Sequence, residues 1–404
     1  MRAGLQGRQL EGELLGLPGG LLRVLYPGMV WMTFTSAPLA IVGVLRAESG
    51  VFGPMASDPT VSRLVGKARA DVRERIWQLA GQAAPDADGN VTVDIDEVLV
   101  IAHSDKEAAA ATWKTAYGHH PLMAFVDHGA DGSGKPVADL LRPGNAGSNT
   151  AADHITTAQL APAQLPKKHR RGGHTPARTD SGGGTHRFVN WLAARGRWLS
   201  YSVGTTITGA VHQAVLPVPA SAWTPAVEPG GQVRNGARVP ELAGDVLRGR
   251  PAGMRLIVCK ERPHPGVQFR FTDADGVRLT CFATNTPIAQ LELRHRRRAR
   301  AEDRIRAARA TGLCNLPLHD AAQNRVRSEV VQLTLDLSAW MPMLALTGDA
   351  RRWEPKRTRL RLFSAAAQLV TTGRHCCLRL ARHWPWTDET TTAFERLQAL
   401  PNPD

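Results

Sequence analysis

Apolar and polar residues follow two different periods along this chain, so the sequence predicts both helices and strands. In SDPTVSRLVGKARADVRERIWQLAG (57–81), apolar positions recur at helical spacing, Asp58 can cap the helix and Pro59 suits its first turn. In NVTVDIDEVLVIAHS (90–104), Val and Ile alternate with Thr and Asp before an apolar run, which is typical of a strand. The basic face of the first segment fits a DNA-binding helix-turn-helix and an ordinary amphipathic helix equally well.

The same two periods continue toward the carboxyl end. The expected elements are a strand in 120–129, a helix in 186–196, a strand in 197–204, many strands in 205–285 and an apolar helix near 329–346. Within the strand-rich block, 254–261 is predicted to be a strand and 267–286 a hairpin that turns at DADG. From Ile288 to Thr311 there is no Gly or Pro, which predicts one uninterrupted helix.

Charge changes this picture, because the chain is strongly basic. The formal net charge is +14 and the isoelectric point is about 10.3, which favours a polyanionic partner, nucleic acid before an anionic membrane. Aromatic residues make up only 5%, which argues against a stacking platform for single-stranded nucleic acid.

The five cysteines include no C-x-x-C pair, so we expect a reducing compartment and no zinc ribbon. The uncharged segment 24–45 contains two prolines and is expected to be a buried helical segment rather than a membrane span.

After the strand-rich block, one stretch is rich in arginine, LRHRRRARAEDRIRAAR (293–309). On an ideal helix, four of its residues fall within about 60° of one another. These are His295, Arg298, Glu302 and Arg309. Such a polar stripe is explained if one end faces an active site and the rest faces phosphates. Asp303 points about 100° away from Glu302 and is predicted to be a surface or pairing residue.

Glu302 has candidate partner carboxylates on the predicted strands. Asp94 and Asp96 lie mid-strand, where aspartate is disfavoured, and Asp180 precedes a helix in ARTDSGGGTH. Carboxylates are the ligands that Mg²⁺ prefers, and two such ions can activate an attacking oxygen and stabilise a leaving one. Ordinary explanations stay open: a salt-bridged Asp96, a helix-capping Asp180, and a Glu302 paired within its own helix. The choice between Asp94 and Asp96 also stays open.

Together these segments resemble a bacterial insertion-sequence transposase of the DDE class. The resemblance is to the branch with a Tyr-x2-Arg-x3-Glu-x6-Lys signature, closest to the group numbered thirteen-eighty. That signature falls on His295, Arg298, Glu302 and Arg309 with every spacing kept, although His replaces Tyr and Arg replaces Lys. The blocks VDIDEVLVIAHSDKE, YGHHPLMAFVDHG, LLRPGNAGSNTAADHITT, RTDSGGGTHRF and RRWEPKRTRLRLF also resemble the family, over roughly residues 44–365.

The resemblance implies an α/β fold with a ribonuclease-H-like catalytic core that is interrupted by a β-rich insertion. The expected parts are a helical N-terminal region that is a candidate for DNA binding (1–82), the first part of the core (83–204), the β-rich insertion (205–285), the second part of the core with the Glu-bearing helix (286–346) and a basic C-terminal tail (347–404).

The resemblance also implies a DNA transposase that cuts the ends of an element and joins them to target DNA by two-metal phosphoryl transfer. The implied catalytic and metal-binding residues are Asp96, Asp180 and Glu302, and the implied DNA-binding residues are His295, Arg298 and Arg309. Two Mg²⁺ ions are expected, with Mn²⁺ as a substitute. The expected partner is double-stranded DNA, as terminal inverted repeats and target. A homodimer in the synaptic complex, no membrane partner, and a cytoplasmic, nucleoid-associated location are expected as well.

Three residues depart from the family pattern next to the predicted catalytic aspartates. Pro176 lies in the strand expected before Asp180, and Glu97 and Val98 follow Asp96 where a small residue and Thr are common. Proline is poorly tolerated inside a central strand. Two alternatives to the active transposase therefore remain, a catalytically decayed DNA-binding relative and a ribonuclease-H-like nuclease that cuts without joining.

Overall fold

The computed structural model describes Gln9–Leu10 and residues 58–401, except for 130–133, 172–174, 196–198, 264–265, 267, 269–272, 274–275, 287–290 and 373–374. The helices are α1 (Asp58–Ala80), α2 (Ala151–Ala163), α3 (His186–Ala193), α4 (Gly209–Val215), α5 (Leu291–Arg296), α6 (Arg300–Ala308), α7 (Ala321–Leu344), α8 (Pro355–Thr358) and α9 (Thr387–Gln398). The strands are β1 (Gln9–Leu10), β2 (Val93–Glu97), β3 (Val100–Ile101), β4 (Ala110–Ala111), β5 (Tyr117–His119), β6 (Leu122–Val126), β7 (Lys135–Leu140), β8 (Pro176–Thr179), β9 (Ser200–Thr205), β10 (Thr224–Val227), β11 (Val233–Val239), β12 (Glu241–Leu242), β13 (Arg255–Glu261), β14 (Arg278–Thr284), β15 (Ala367–Thr372) and β16 (His375–Leu380).

A large mixed sheet, flanked by helices, organises this α/β fold. Its strand order is β10-β11-β13-β14-β9-β8-β2-β6-β7, and β12 pairs with β13. The central strand β2 runs antiparallel to β6 and parallel to β8, and β9 runs parallel to β8. Strand β14 pairs antiparallel with β9 from Cys281↔Thr205 to Thr284↔Ser202. The strands between residues 224 and 284 therefore extend the same sheet.

The central strands send side chains into two apolar layers. On one face, Ile95 of β2 belongs to a cluster that includes Phe188 of α3. On the other face, Met123 of β6 packs in a cluster with Ala308 of α6 and Leu335 of α7. Because both faces are covered, strand β6 is buried along its whole length, which explains its continuous apolar sequence.

Helix α1 is held against α7 and β7 by buried charged groups. Arg69 Nε donates to Asp336 Oδ2 at 2.8 Å, and Arg73 Nη2 donates to both oxygens of Asp336 at 2.9 and 2.8 Å. Both arginines also donate to the backbone carbonyl of Pro136, at 3.0 and 3.1 Å. The three charged side chains are at most 3% exposed, so this network replaces an apolar contact at the centre of the helix interface.

The predictions for the two amino-terminal segments are confirmed in type and adjusted in length. The segment 57–81 forms α1, and the strand predicted in 90–104 is β2, which ends at Glu97 before the two-residue strand β3. Most of the predicted N-terminal region, including the uncharged segment 24–45, lies outside the described residues. So do most of the first strand and the middle of the turn of the hairpin predicted at 267–286. No helix within the described ranges is both long and apolar enough to cross a membrane.

The prediction of one uninterrupted helix from Ile288 to Thr311 is wrong. Helix α5 ends at Arg296, residues Arg297–Ala299 form a 3-10 turn, and α6 follows. A π-helical turn then covers Arg309–Leu313 and contains Gly312, whose φ is 127°. Such a φ favours glycine, so the helical stretch stops where the sequence first supplies one.

Side chains on the two sides of the 3-10 turn are anchored to different parts of the protein. Arg296 donates to the carbonyl oxygen of Val227 at 2.8 Å and to Glu228 at 3.3 Å. Arg300 donates to both oxygens of Asp127 at 3.2 and 3.1 Å. These anchors are far away in sequence, so the absence of Gly and Pro could not reveal the interruption.

The region predicted as a basic tail, 347–404, is folded in its described part. It contains α8, a hairpin of β15 and β16, and helix α9. Strand β1 pairs with β16, which joins the chain's two ends in a three-stranded sheet.

Candidate active site

Asp96 and Asp180 lie at the same edge of the sheet on neighbouring strands. Strands β2 and β8 are parallel, with Asp94 opposite Arg178 and Ile95 opposite Thr179. One step further along this register, Asp96 comes opposite Asp180. Neighbouring strands are about 4.8 Å apart, so the two backbones meet closely here. Parallel pairing thus brings together two aspartates that are far apart in sequence.

Pro176 does not disturb the strand that leads to Asp180. It is the first residue of β8, a position at which a missing N–H group is tolerated. The strand is completely buried and pairs with β9 from Pro176↔Ser200 onward. The departure at Pro176 is therefore compatible with the strand that the family pattern requires.

Glycines let the backbone turn tightly after Asp180. Asp180 Oδ1 accepts a hydrogen bond from the N–H of Gly182 at 2.9 Å and so caps the 3-10 turn Ser181–Gly183, whereas the following helix α3 is capped by Thr185. Gly204 of β9 lies so close that an added Cβ would meet the carbonyl carbon of Asp180 at 2.7 Å and the nitrogen of Ser181 at 2.8 Å. The position of Asp180 therefore depends on a glycine in the next strand.

Asp94 is committed to a buried ion pair. Arg178 Nε and Nη2 donate to its two oxygens at 2.6 and 2.7 Å, and both side chains are 2% exposed. Arg178 also donates to Asp127 at 2.7 Å, and these carboxylates raise its pKa despite burial. Burial raises the pKa of Asp94, against the effect of Arg178. A carboxylate in a bidentate pair has little freedom to bind a metal, which distinguishes Asp94 from Asp96.

Asp96 has weaker partners and a more open position. One oxygen accepts from the N–H of Glu97 at 2.8 Å, and the other lies 3.4 Å from Arg298 Nη1. Burial raises the pKa of Asp96 to about 6, and the negative charges of Asp180 and Glu302 add to this rise. Asp180 and Glu302 are thus both close enough to act electrostatically on Asp96.

The three carboxylates do not form a closed set of metal ligands. No group of three or more His, Cys, Asp or Glu side chains in the described part of the chain is arranged to hold a metal ion. Glu302 is exposed on α6, which packs against β2. The donor chemistry of Asp96, Asp180 and Glu302 nevertheless fits hard cations such as Mg²⁺. Asp180 and Glu302 repel the charged form of Asp96, and a bound cation would relieve this repulsion.

The neighbouring acid, Asp303, behaves as predicted for a pairing residue on the surface. It is paired with Arg306 at 3.3 Å, and its side chain is 59% exposed. The two adjacent acids of the arginine-rich stretch therefore have different environments.

The structure separates the three residues predicted to bind DNA. Arg298 lies beside Asp96, and the exposed Arg309 donates to the carbonyl oxygen of Leu99 at 2.7 Å. Both are at the edge that carries Asp96. His295 instead packs inward, so the ideal-helix stripe is not one continuous surface.

His295 is only partly exposed, and its ring is engaged inside the protein. The ring stacks on Phe282 with centroids 4.3 Å apart and an interplanar angle of 9°, and Nδ1 is 2.9 Å from Ser202 Oγ. Burial lowers the pKa of His295 to about 3, so the ring is neutral near pH 7. A contact with DNA would require it to leave this packing; its predicted DNA-binding role stays untested.

Two groups of polar residues near the site were not predicted as groups from the sequence. On the opposite face of β2, Glu97 lies 3.3 Å from Arg142 Nη2 and 3.4 Å from His120 Nε2. Burial raises the pKa of Glu97, and the charge of Asp180 contributes. At the end of β6, Asp127 forms ion pairs with Arg178 of β8 and Arg300 of α6. The pair with Arg300 fixes α6 on the sheet. The signals were the blocks YGHHP and FVDHG, whose polar residues directly flank an apolar strand.

Comparison with known proteins gives a family for the chain. One similar solved structure is "Cryo-EM structure of piggyBac transposase synaptic complex with hairpin DNA (SNHP)", with 9% identity and a TM-score of 0.41. The alignment covers 67% of this chain and 51% of that one, so the chain spans about half the length of that protein. A comparison with curated proteins found no significant match. A family model described as "Transposase DDE domain group 1" matches residues 38–402, nearly the whole chain, and the protein therefore belongs to this family of DDE transposase domains.

Proposed function

We propose that the protein is a DNA transposase with its catalytic carboxylates at Asp96, Asp180 and Glu302. The observation that carries the proposal is the parallel register of β2 and β8, which puts Asp96 opposite Asp180 at one edge of the sheet. Glu302 belongs to α6, which packs on β2, and its charge raises the pKa of Asp96. Family membership supports the same reading.

The arrangement of the core strands supports a ribonuclease-H-like core. In chain order, the first five strands of the main sheet are β2, β6, β7, β8 and β9, and they lie side by side as β9-β8-β2-β6-β7. We propose that residues 83–204 and 286–346 form this core. Residues 205–285 would then be an insertion whose strands extend the core sheet beyond β9, while 1–82 and 347–404 would be the flanking regions.

The proposed reaction is metal-dependent DNA cleavage followed by strand joining. Two divalent cations, Mg²⁺ or Mn²⁺, held by Asp96, Asp180 and Glu302, would supply activation of the attacking oxygen and stabilisation of the leaving oxygen. The protein's own contribution is to hold the carboxylates in place. Asp180 is fixed by its hydrogen bond from Gly182, and Asp96 by the N–H of Glu97.

Arginines beside the carboxylates are proposed to hold the DNA. Arg298 is 3.4 Å from Asp96, a loose pair that a DNA phosphate could replace. Arg309 is exposed at the same edge and bonded only to a backbone carbonyl among the described residues. We assign DNA contact to Arg298 and Arg309 in preference to His295. The packing of His295 on Phe282 suits a role in positioning α5 on β14.

Further parts of the proposal come from the family resemblance. They are recognition of terminal inverted repeats and target DNA, a homodimer in the synaptic complex, and action at the nucleoid. The net charge of +14 supports a polyanionic partner.

The test is cleavage and joining of DNA ends that carry the inverted repeats flanking the gene, with Mg²⁺ or Mn²⁺. Glu302→Gln and Asp180→Asn should abolish product while retaining end binding. Asp303→Asn is the matched control, because it removes the adjacent acid, and it should stay active. A wild-type protein that binds ends and cuts nothing with either ion would identify a catalytically decayed relative. Cutting without joining would identify a nuclease.

A further inference from the structure

A second cleft lies at the opposite edge of the sheet from Asp96 and Asp180. It has a volume of about 460 Å³ and is located where β2 and β8 begin and β6 ends. Thr92, Asp127 and Pro176 belong to its lining. Four residue steps along the strand separate Thr92 from Asp96, which is about 13 Å at 3.3 Å per residue. The cleft is therefore separate from the carboxylate edge.

The arginine-rich stretch supplies one wall of this cleft. Arg294, Arg297 and Arg300 line it together with Arg178. None of these belongs to the stripe of His295, Arg298 and Arg309 that the sequence pointed to. The helical stretch thus directs two sets of basic residues toward two edges of the sheet.

Positive charge in the cleft is only partly neutralised. Arg178 pairs with Asp94 and Asp127, and Arg300 pairs with Asp127. Arg294 and Arg297 have no carboxylate partner in the described part of the chain. One further acid, Asp88, also lines the cleft, and its carboxylate accepts a hydrogen bond from the N–H of Asn90.

The charged forms of Arg294 and Arg297 are disfavoured in this cleft. Burial lowers the pKa of Arg294, and the positive charge of Arg178 lowers it further. Burial also lowers the pKa of Arg297, Arg300 adds to this effect, and Asp127 offsets it only in part. Nε of Arg297 is buried and has no hydrogen-bond partner within the described ranges. Most buried donors have a hydrogen-bond partner, and a bound anion would favour the charged forms of both arginines.

We propose that this cleft binds a phosphate group through Arg294 and Arg297. Guanidinium groups suit phosphate because they present several N–H donors in a planar fork. The phosphate could be a backbone phosphate of DNA or a free phosphate. The DNA source rests on the proposed function, and the free source does not. Because Thr92 in the cleft lining is about 13 Å along β2 from Asp96, a phosphate bound in the cleft is distinct from one held at the carboxylates.

The first experiment uses inorganic phosphate as the probe and the full chain without metal. The thermal midpoint is followed against phosphate concentration, with sodium chloride keeping the ionic strength constant. The wild-type midpoint should rise and saturate, because a ligand that binds only the folded state stabilises it. Arg294→Gln/Arg297→Gln should weaken phosphate affinity by at least about tenfold. Without phosphate, this variant should be no less stable than the wild type, which also shows that it folds.

The matched control is Arg238→Gln/Arg262→Gln, which removes two exposed arginines and the same charge elsewhere. It should keep the phosphate-dependent rise. The proposal is overturned if both double variants respond equally, or if the wild type does not respond. Neither result depends on DNA cleavage, so failure here is distinct from failure of the proposed transposase activity.

A second experiment identifies the source of the phosphate. The affinity for duplex DNA is measured against salt concentration, and each lost phosphate contact lowers the log–log slope by about 0.9. A lower slope for Arg294→Gln/Arg297→Gln than for the control assigns the cleft to the DNA backbone. An unchanged slope, together with a lost phosphate response, assigns it to a free phosphate.

Discussion

At the scale of residues, Asp94 and Asp96 show how position in a strand decides the fate of a carboxylate. They share one face of β2 and are separated by a single residue. Asp94 meets Arg178 in the middle of the sheet, whereas Asp96 reaches the edge, where its nearest cation is Arg298 at 3.4 Å. The sequence could name both as candidates but could not separate them, because Arg178 lies 84 positions away from Asp94.

The two aspartates should respond differently to removal of their charge. Asp94→Asn leaves Arg178 buried with one carboxylate fewer, and we expect a loss of about 3 kcal/mol or more in the free energy of unfolding. Asp96→Asn should change stability by less than about 1 kcal/mol, because the charged form is already disfavoured at this position. Urea unfolding without metal measures both. Equal losses would contradict the assignment of different roles.

Lys135 is predicted to limit stability in a pH-dependent way. It is fully buried, its Nζ lies 2.8 Å from Met343 Sδ and 5.0 Å from the ring of Trp77, and burial lowers its pKa well below the ordinary value. The unfolded chain therefore binds this proton more readily than the folded one. Stability should rise with pH up to about 10.4, the pKa of an unfolded lysine, and fall as pH decreases.

Lys135→Met should remove this dependence and raise the free energy of unfolding at pH 7 by roughly 1–3 kcal/mol. Urea unfolding at several pH values between about 6 and 9 checks the slope. The exposed Lys67→Met is the control and should keep the wild-type slope. A variant with an unchanged slope would show that Lys135 is charged in the folded protein.

At the scale of elements, local pattern predicted which segments are helices and strands better than where they stop. The helix in 57–81 and the strands around β2 and β6 follow from apolar periodicity and turn residues, which are local. The 3-10 turn at Arg297–Ala299 follows from anchors on Val227 and Asp127, which are not local. The sequence could likewise name Asp96, Asp180 and Glu302 as candidates. It could not predict the inward packing of His295, because its partners Phe282 and Ser202 are on other elements.

A glycine in one strand is predicted to control the carboxylate of the next. Gly204→Ala would place a Cβ 2.7 Å from the carbonyl carbon of Asp180, so the backbone there must shift. We expect a loss of about 1–3 kcal/mol in stability, together with slower DNA cleavage. Gly209→Ala is the matched control, since no atom lies within 4 Å of the point that its new methyl group would occupy. Unfolding and cleavage assays measure the two effects. Wild-type cleavage by Gly204→Ala would show that Asp180 tolerates the shift.

At the scale of the whole molecule, a single buried carboxylate joins elements that are far apart in the described chain. Asp336 of α7 is fully buried and binds Arg69 and Arg73 of α1, which also reach the Pro136 carbonyl of β7. An apolar interface would be tolerant of sliding, whereas this one requires a defined register. Amphipathic periodicity predicted α1 as a helix, but its buried arginines looked like a solvated basic face.

Removal of this carboxylate should detach α1 from the rest of the protein. Asp336→Asn leaves two buried arginines poorly compensated, and we expect a loss of about 3–5 kcal/mol. Glu329→Gln is the matched control, because among the described residues the ion pair of Glu329 is with Arg69 and its side chain is 18% exposed, so its loss should be clearly smaller. Unfolding midpoints and amide hydrogen exchange in α1 measure the result. Similar losses in the two variants would show that the network has no central member.

The pairing of β14 with β9 has a mechanical consequence. A segment joined to a core by a flexible connection can move without disturbing the core. Neighbouring strands that are hydrogen-bonded to each other move together. Force applied to the strands between 224 and 284 is therefore transmitted through β14 into β9, and so to Gly204, which touches the backbone of Asp180. The pairing therefore predicts that load on the strands between 224 and 284 reaches the carboxylate edge, although these strands carry none of its carboxylates.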